Sequence, residues 1–306
     1  MKVFVRRKLA RTLATLPLLV LAAGCGGDDE SPITPSGNES PELPYAQSLS
    51  ISVAGFEDAF TPGVRDGSGG PRDVVVVDQP VSNGKSLVGA RASADSVSSA
   101  NYNAGRSTIA SVNSSITSLA SLTSYCYSRA FNTTPVKESD GSWTWSYSVV
   151  DGWIKYDVEL NGVISSDETE WTMLVTTSGR TSNVSDAMWA SGTTASNNLS
   201  GSWQVYDLDR APGTALVRVD WTRDEDGALT SVWLNNSATH ASYGDNLAFS
   251  YDGNLATLQY SKSGGASQST VRWYPATTAG SVQSPLYNGG AESCWDSQHA
   301  NSSCTQ

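Results

Sequence analysis

The stretch SWTWSYSVVDGWIKYDVEL, residues 142–160, decides the fold. Trp143, Trp145, Tyr147 and Val149 alternate with Ser and Thr. Ile154, Tyr156, Val158 and Leu160 alternate with Lys155, Asp157 and Glu159. A period of two places the large residues on one face of a strand and the polar residues on the other. Asp151-Gly152 lies between the two runs and supplies the positive φ angles of a tight hairpin turn. The two strands are therefore antiparallel neighbours.

The same pattern continues to about residue 282. Further strands are expected at 170–177, 199–208, 215–223, 228–235, 247–251, 256–261 and 269–274. Asn161-Gly162, Asp226-Gly227, Asp252-Gly253 and Gly264-Gly265 read as further hairpin turns. Short turns make sequential strands neighbours, and about eight to ten such strands tend to curl or close. The expected fold is mainly β: an antiparallel up-and-down meander forming a barrel or strongly curved sheet, with one N-terminal helix. That helix is read over residues 93–122, where Ile109, Val112, Ile116 and Leu119 recur at spacings of 3, 4 and 3. Ser93 and Asp95 are its candidate caps, and Gly105 weakens its first half. Before it, Leu49 to Val53 alternates like a short strand, residues 63–71 are Gly-rich loop, and Val74 to Val77 is a short apolar run. The tail from Ser284 has no period and reads as a stapled coil laid over one end of the sheet.

The chain begins with a basic segment (Lys2, Arg6, Arg7, Lys8, Arg11) and an apolar run from Leu13 to Ala23, then Leu21-Ala22-Ala23-Gly24-Cys25. The apolar run has the length of a signal-peptide core rather than of a membrane span. Small residues before a cysteine let a peptidase cut at a thiol that can carry diacylglycerol. The pattern resembles a bacterial lipoprotein signal peptide, with Ala22 where Leu is commoner. The resemblance covers about the first 25 residues. It implies a signal peptide over 1–24, lipidation at Cys25, and residence in the cell envelope with the membrane as partner. It also implies the outer membrane where the cell has two, because Gly26 rather than Asp follows the cysteine. The other reading is an ordinary secretory signal that leaves Cys25 a free thiol. Residues 25–46 are rich in Gly, Ser, Pro and acids and read as a disordered tether to a single β domain over 47–306.

Charge excludes one partner class. The precursor carries −11, and the signal holds five of its 19 bases and none of its 30 acids, leaving 14 − 30 = −16 after cleavage. Phosphate backbones repel such a chain, so no nucleic-acid partner is expected. Of the four cysteines, Cys25 is assigned to lipid. Cys294 and Cys304 are expected to pair, leaving Cys126 a buried thiol. The alternative is a bridge from Cys126 to one of them.

Reactive groups are sparse. His240 and His299 are the two histidines, far apart and with no Gly-x-Ser-x-Gly elbow. Asp224-Glu225-Asp226-Gly227 resembles part of a calcium loop but has Thr222 and Trp233 where ligands belong. The pairs Asp157/Glu159 and Glu168/Glu170 are two apart on strands, and an outward charged row is an ordinary guard against edge pairing. No catalytic residue, metal site or cofactor is assigned. The unusual feature is ten tryptophans. Most fit a filled interior. Trp143, Trp145, Trp153, Trp171 and Trp233 are the candidates for lining a ligand cavity or forming an exposed platform. The expected function is binding of a small hydrophobic ligand within the sheet, an architecture that resembles lipocalin-type carriers by analogy only. The alternative is an adhesion module that grips glycan or protein through exposed aromatics. Replacing Cys25 by Ala should abolish both palmitate labelling of the protein and its sedimentation with membranes.

Overall fold

The computed structural model describes residues 39–51, 53, 56, 98–208, 212–265 and 267–304. The signal peptide, Cys25, most of the tether, the Gly-rich loop, the Val74–Val77 run and the expected start of the helix lie outside the described residues. The described chain belongs to one compact unit, Ser40–Gln306.

Among the described residues, fourteen strands form one antiparallel sheet in strict chain order. They are β1 Val136–Lys137, β2 Trp143–Asp151, β3 Ile154–Ile164, β4 Glu168–Ser178, β5 Ala187–Ala195, β6 Ser200–Tyr206 and β7 Ala215–Arg223. They continue as β8 Leu229–Asn235, β9 Asn246–Tyr251, β10 Ala256–Ser261, β11 Gln268–Trp273, β12 Gly280–Gln283, β13 Ser293–Trp295 and β14 Asn301–Ser302. The mainly β antiparallel meander is thus the observed architecture. The end strands β1 and β14 do not pair with each other, so the sheet is not a closed barrel. The expected alternation is kept: β8 alternates buried and exposed without a break from Leu229 to Asn235.

One helix was expected, and the chain makes two. α1 (Ala100–Ser115) ends where Ile116 takes φ −129° and ψ −60°, and α2 (Ser121–Ser128) follows a short 3₁₀ turn. The break has a local cause. Ser114, Ser118 and Ser121 hydroxyls donate to carbonyls three or four residues back, competing with the helix's own ladder. The stripe nevertheless points inward: Ile109, Val112 and Ile116 are buried and Leu119 packs against the core. Ahead of it, Ala46–Leu49 is a 3₁₀ turn, so the short strand expected from Leu49 does not begin there. Packing starts earlier than residue 46. Leu43 O accepts from Asn198 Nδ2 at 3.1 Å, and the Tyr127 hydroxyl donates to Pro44 O.

The tail is not a coil. Beyond Ser284 it adds β13 and β14 to the sheet, continuing from β12. It also holds the start of α1: Asn101 N–H donates to Asn301 Oδ1 at 2.9 Å, and Asn101 Nδ2 to Cys294 O at 2.6 Å. At its other end α1 is fixed on β8, where the buried Asn235 donates to Ser115 O at 2.9 Å.

Asn161-Gly162 is a further correction, for it is not a turn but the interior of β3. Gly162 lies in register between Trp143 and Trp171, and Trp171 in turn faces Gly192, which faces Trp203. One cross-strand row on the inner face therefore reads Trp, Gly, Trp, Gly, Trp. A Cβ on Gly162 would lie 2.9 Å from the Trp171 ring and 3.3 Å from Pro41. On Gly192 it would lie 2.7 Å from the Trp203 ring. The device recurs at the other end of the sheet, where Gly280 sits between Trp273 and Trp295. Gly105 of α1 admits the same Trp295 ring from above. Gly162→Ala should lower stability by about 1–3 kcal/mol through overpacking, read as a lower urea midpoint at unchanged slope. In a Trp171→Leu background the same change should cost less, because the ring it strikes is gone.

Candidate functional site

A cavity of about 380 Å³ opens where the helices cross the inner face. Its floor is Trp233 of β8 and Leu258 of β10. Ile109 and Val112 of α1 form one wall, and Leu49, Ile51 and Val53 of the N-terminal segment form another. The third side is polar: Thr117, Ser121, Ser124, Tyr125 and Ser128 bring hydroxyls, and Arg129 stands at the mouth. The break at Ile116 creates this third side, because it turns α2 away from the line of α1 and lifts its Ser-rich face over the floor.

Arg129 is exposed, and its guanidinium lies 5.0 Å above the Tyr125 ring and donates to the Tyr125 hydroxyl at 2.9 Å. It is the one charged side chain among the described residues of the lining. The Tyr125 hydroxyl holds its guanidinium further toward the charged form.

The tryptophans singled out in sequence fall in four different settings. Trp233 is fully buried, donates to Ser231 Oγ at 3.0 Å and is one of the residues that line the cavity. Trp145 and Trp171 are core, their rings 5.6 Å apart, and Trp171 donates to Thr194 Oγ1. Trp143 is half-buried beneath the Lys137 ammonium. Trp153 is 85% exposed beside the β2–β3 hairpin turn. The five are therefore not one site. The opposite parity of Val232 and Leu234 resolves simply: Trp233 takes the inner face, and those two aliphatics stand partly exposed outside. Sequence reading missed the cavity's polar wall, since α2 carries too few apolar residues to mark it. It also missed the strand Ala187–Ala195 and its buried Trp189.

The histidines and carboxylates are used in packing. His299 stacks on Tyr102 at 3.7 Å between ring centres, and His240 Nδ1 accepts from Ser242 N–H. Asp157 pairs with Lys155 on the outer face. Asp224 Oδ1 accepts from Ala228 N–H across the Asp226-Gly227 turn. A second cavity, about 320 Å³, lies beside Asp245 and Tyr260. Both oxygens of the buried Asp245 are taken, one by the Tyr260 hydroxyl and one by Ser263 N–H at 2.8 Å. Burial and that carboxylate push the Tyr260 phenol up to about 12.

Cys294 and Cys304 form a disulfide with their Cα atoms 5.2 Å apart, and Cys126 is a buried free thiol. Cys25 lies outside the described residues. Burial, with a smaller push from the Asp151 carboxylate, raises the Cys126 thiol from 9.0 to about 12. Burial raises the Tyr127 phenol as well. Groups whose folded pKa is raised stabilise the fold fully below the unfolded value and lose that contribution as pH climbs through the folded one. The urea midpoint should accordingly fall between about pH 9 and 12. Over the same range, Cys126 should become open to alkylation, and the share of tyrosinate absorbance that comes from the buried phenols should appear only with unfolding. At neutral pH a thiol reagent should leave Cys126 untouched until denaturant is added. No protein-family model, no curated protein and no solved structure matches this chain.

Proposed function

We propose that the chain is a non-enzymatic, lipid-anchored cell-envelope protein that binds a small hydrophobic ligand. The ligand lies in the cavity between the helices and the concave face of a curled sheet. The observation that carries the reading is the cavity itself: about 380 Å³, floored by Trp233 and Leu258 and walled by Ile109, Val112 and Ile51. This is within the usual size of small-molecule sites, which are mainly apolar with a few placed polar groups.

Curling is supported by what α2 touches. Tyr127 packs on Trp203 of β6, its ring 5.4 Å away. The turn that follows α2, Arg129–Asn132, lies against β2. Four strand spacings separate β2 from β6, about 19 Å on a flat sheet. Bending brings them to the two flanks of one short helix and the turn that follows it. Elsewhere among the described residues the inner face carries the buried indoles of Trp145, Trp171, Trp203, Trp221 and Trp273. The anchor at Cys25 would hold this domain at a membrane surface.

A second reading, an interaction module for glycan or protein, is favoured by one observation: Trp153 is almost wholly exposed at a strand-to-strand turn. The two readings are separated by one experiment on the whole chain carrying Cys25→Ala, which needs no detergent. An environment-sensitive apolar fluorophore should bind saturably and quench tryptophan emission. Leu258→Trp should block it by filling the floor, and Trp153→Ala should leave it unchanged. Absence of saturable binding would overturn the carrier reading. Loss of glycan or protein binding in Trp153→Ala, at unchanged melting temperature, would support the second.

A further inference from the structure

We infer that the ligand is a single-chain amphiphile with one negative charge at its head, of the carboxylate class, and that Arg129 receives that head. The inference rests on the carrier reading above and adds the ligand's chemistry.

The cavity is polarised along its length. Trp233, Leu258, Ile109 and Val112 make the inner part apolar, while Ser124, Ser128 and Arg129 lie along α2 and just beyond it. Ser128 gives its hydroxyl proton to Tyr125 O at 2.7 Å, so what a purely apolar molecule would leave unmatched is the Arg129 guanidinium. A uniformly polar one would leave the Trp233 and Leu258 floor unmatched. An amphiphile satisfies both, with its chain on the floor and its head at the mouth.

The sign of the head follows from charge. The protein has an excess of acids, 30 against 19 bases, yet the cavity lining among the described residues holds a cation and no carboxylate. Arg129 is partnered by the neutral Tyr125, through its ring and its hydroxyl, and among the described residues no carboxylate pairs with it. The guanidinium fork matches a carboxylate in shape and presents more than one N–H to it. Its contacts with the Tyr125 ring and hydroxyl already restrict the side chain, which lowers the freedom to be lost on binding. One cation balances one negative charge. A dianionic head would leave a charge uncompensated in an acidic protein. Because Arg129 stands in water at the mouth, its pair with the head is partly screened.

The test displaces the bound fluorophore from the whole Cys25→Ala chain with dodecanoic acid, dodecanol and dodecyl phosphate. Dodecanoate is expected to compete about three- to tenfold better than dodecanol at low salt, and better than the phosphate. Affinity should rise about fourfold per added methylene until the chain outgrows the cavity. Arg129→Gln should remove the preference for acid over alcohol while leaving dodecanol and the melting temperature unchanged. Arg129→Lys should restore part of the preference, and high salt should shrink it. Equal competition by acid and alcohol in the unmodified site overturns this inference and leaves the carrier reading standing, as does a preference that survives Arg129→Gln. A fluorophore that never binds overturns both.

Discussion

The sheet depends on indole rings lying over glycines of the neighbouring strand. Strands lie only about 4.8 Å apart, so an indole that leans across its neighbour needs a small residue beneath it. Alternating the largest and the smallest residue solves this in the row from Trp143 through Gly162, Trp171 and Gly192 to Trp203. Each ring removes about 150–250 Å² from water, and each glycine supplies the room. Beyond Trp203 the row passes to Val219, Trp233 and Leu247, where branched aliphatics take the glycine's place. The cavity floor begins where the strict alternation stops.

Burying indoles requires partners for their N–H groups, and these partners knit the chain. Trp203 donates to Ser48, which fastens the N-terminal segment to β6. Trp295 donates to Thr278 O, which fastens the tail to the turn between β11 and β12. Trp221 is the exception, its Nε1 buried without a partner among the described residues. It packs over Gly201 in the same way as the others. The disulfide works in the same place as Trp295. It closes β13 onto β14, and through Asn101 and Asn301 those two short strands fix the start of α1. A ten-residue loop of this kind stabilises by about 2–3 kcal/mol in the chain-entropy model.

How much of this was legible in the sequence follows from residue size. The runs around Trp143, Ile154, Ala215 and Ala256 were plain because large and polar residues alternate strictly, and their observed bounds fall close to the expected ones. Ala187–Ala195 was missed because it is built of Ala, Ser, Gly and Thr, and because an irregularity opposite Met173 and Leu174 buries Trp189 and Ala190 side by side. β12 and the two tail strands are four, three and two residues long, too short for any period to register. Asn161-Gly162 misled because the dipeptide that makes a turn also makes a gap for a ring, and only the register with Trp171 tells the two apart. The two helices replaced one because serine density, not a proline or glycine, broke the ladder.

The same serines explain why the candidate site was invisible in sequence while its floor was not. Trp233 stood out because Val232 and Leu234 crowd the opposite face. Nothing in the run Ser121–Ser128 marks a binding wall, for hydroxyls on an isolated helix are simply solvated. They acquire meaning only when the Ile116 break carries them over Trp233 and Leu258, into a space whose other walls are aliphatic. Arg129 follows directly at the end of α2, and a cation there also complements the partial negative charge of the helix end. That helix charge accounts for a base at this position, but not for the Tyr125 ring beneath it or for the absence of acids among the described residues of the lining. These further constraints act on the mouth of the cavity rather than on the helix, and they make the polarity of the space a property of the fold.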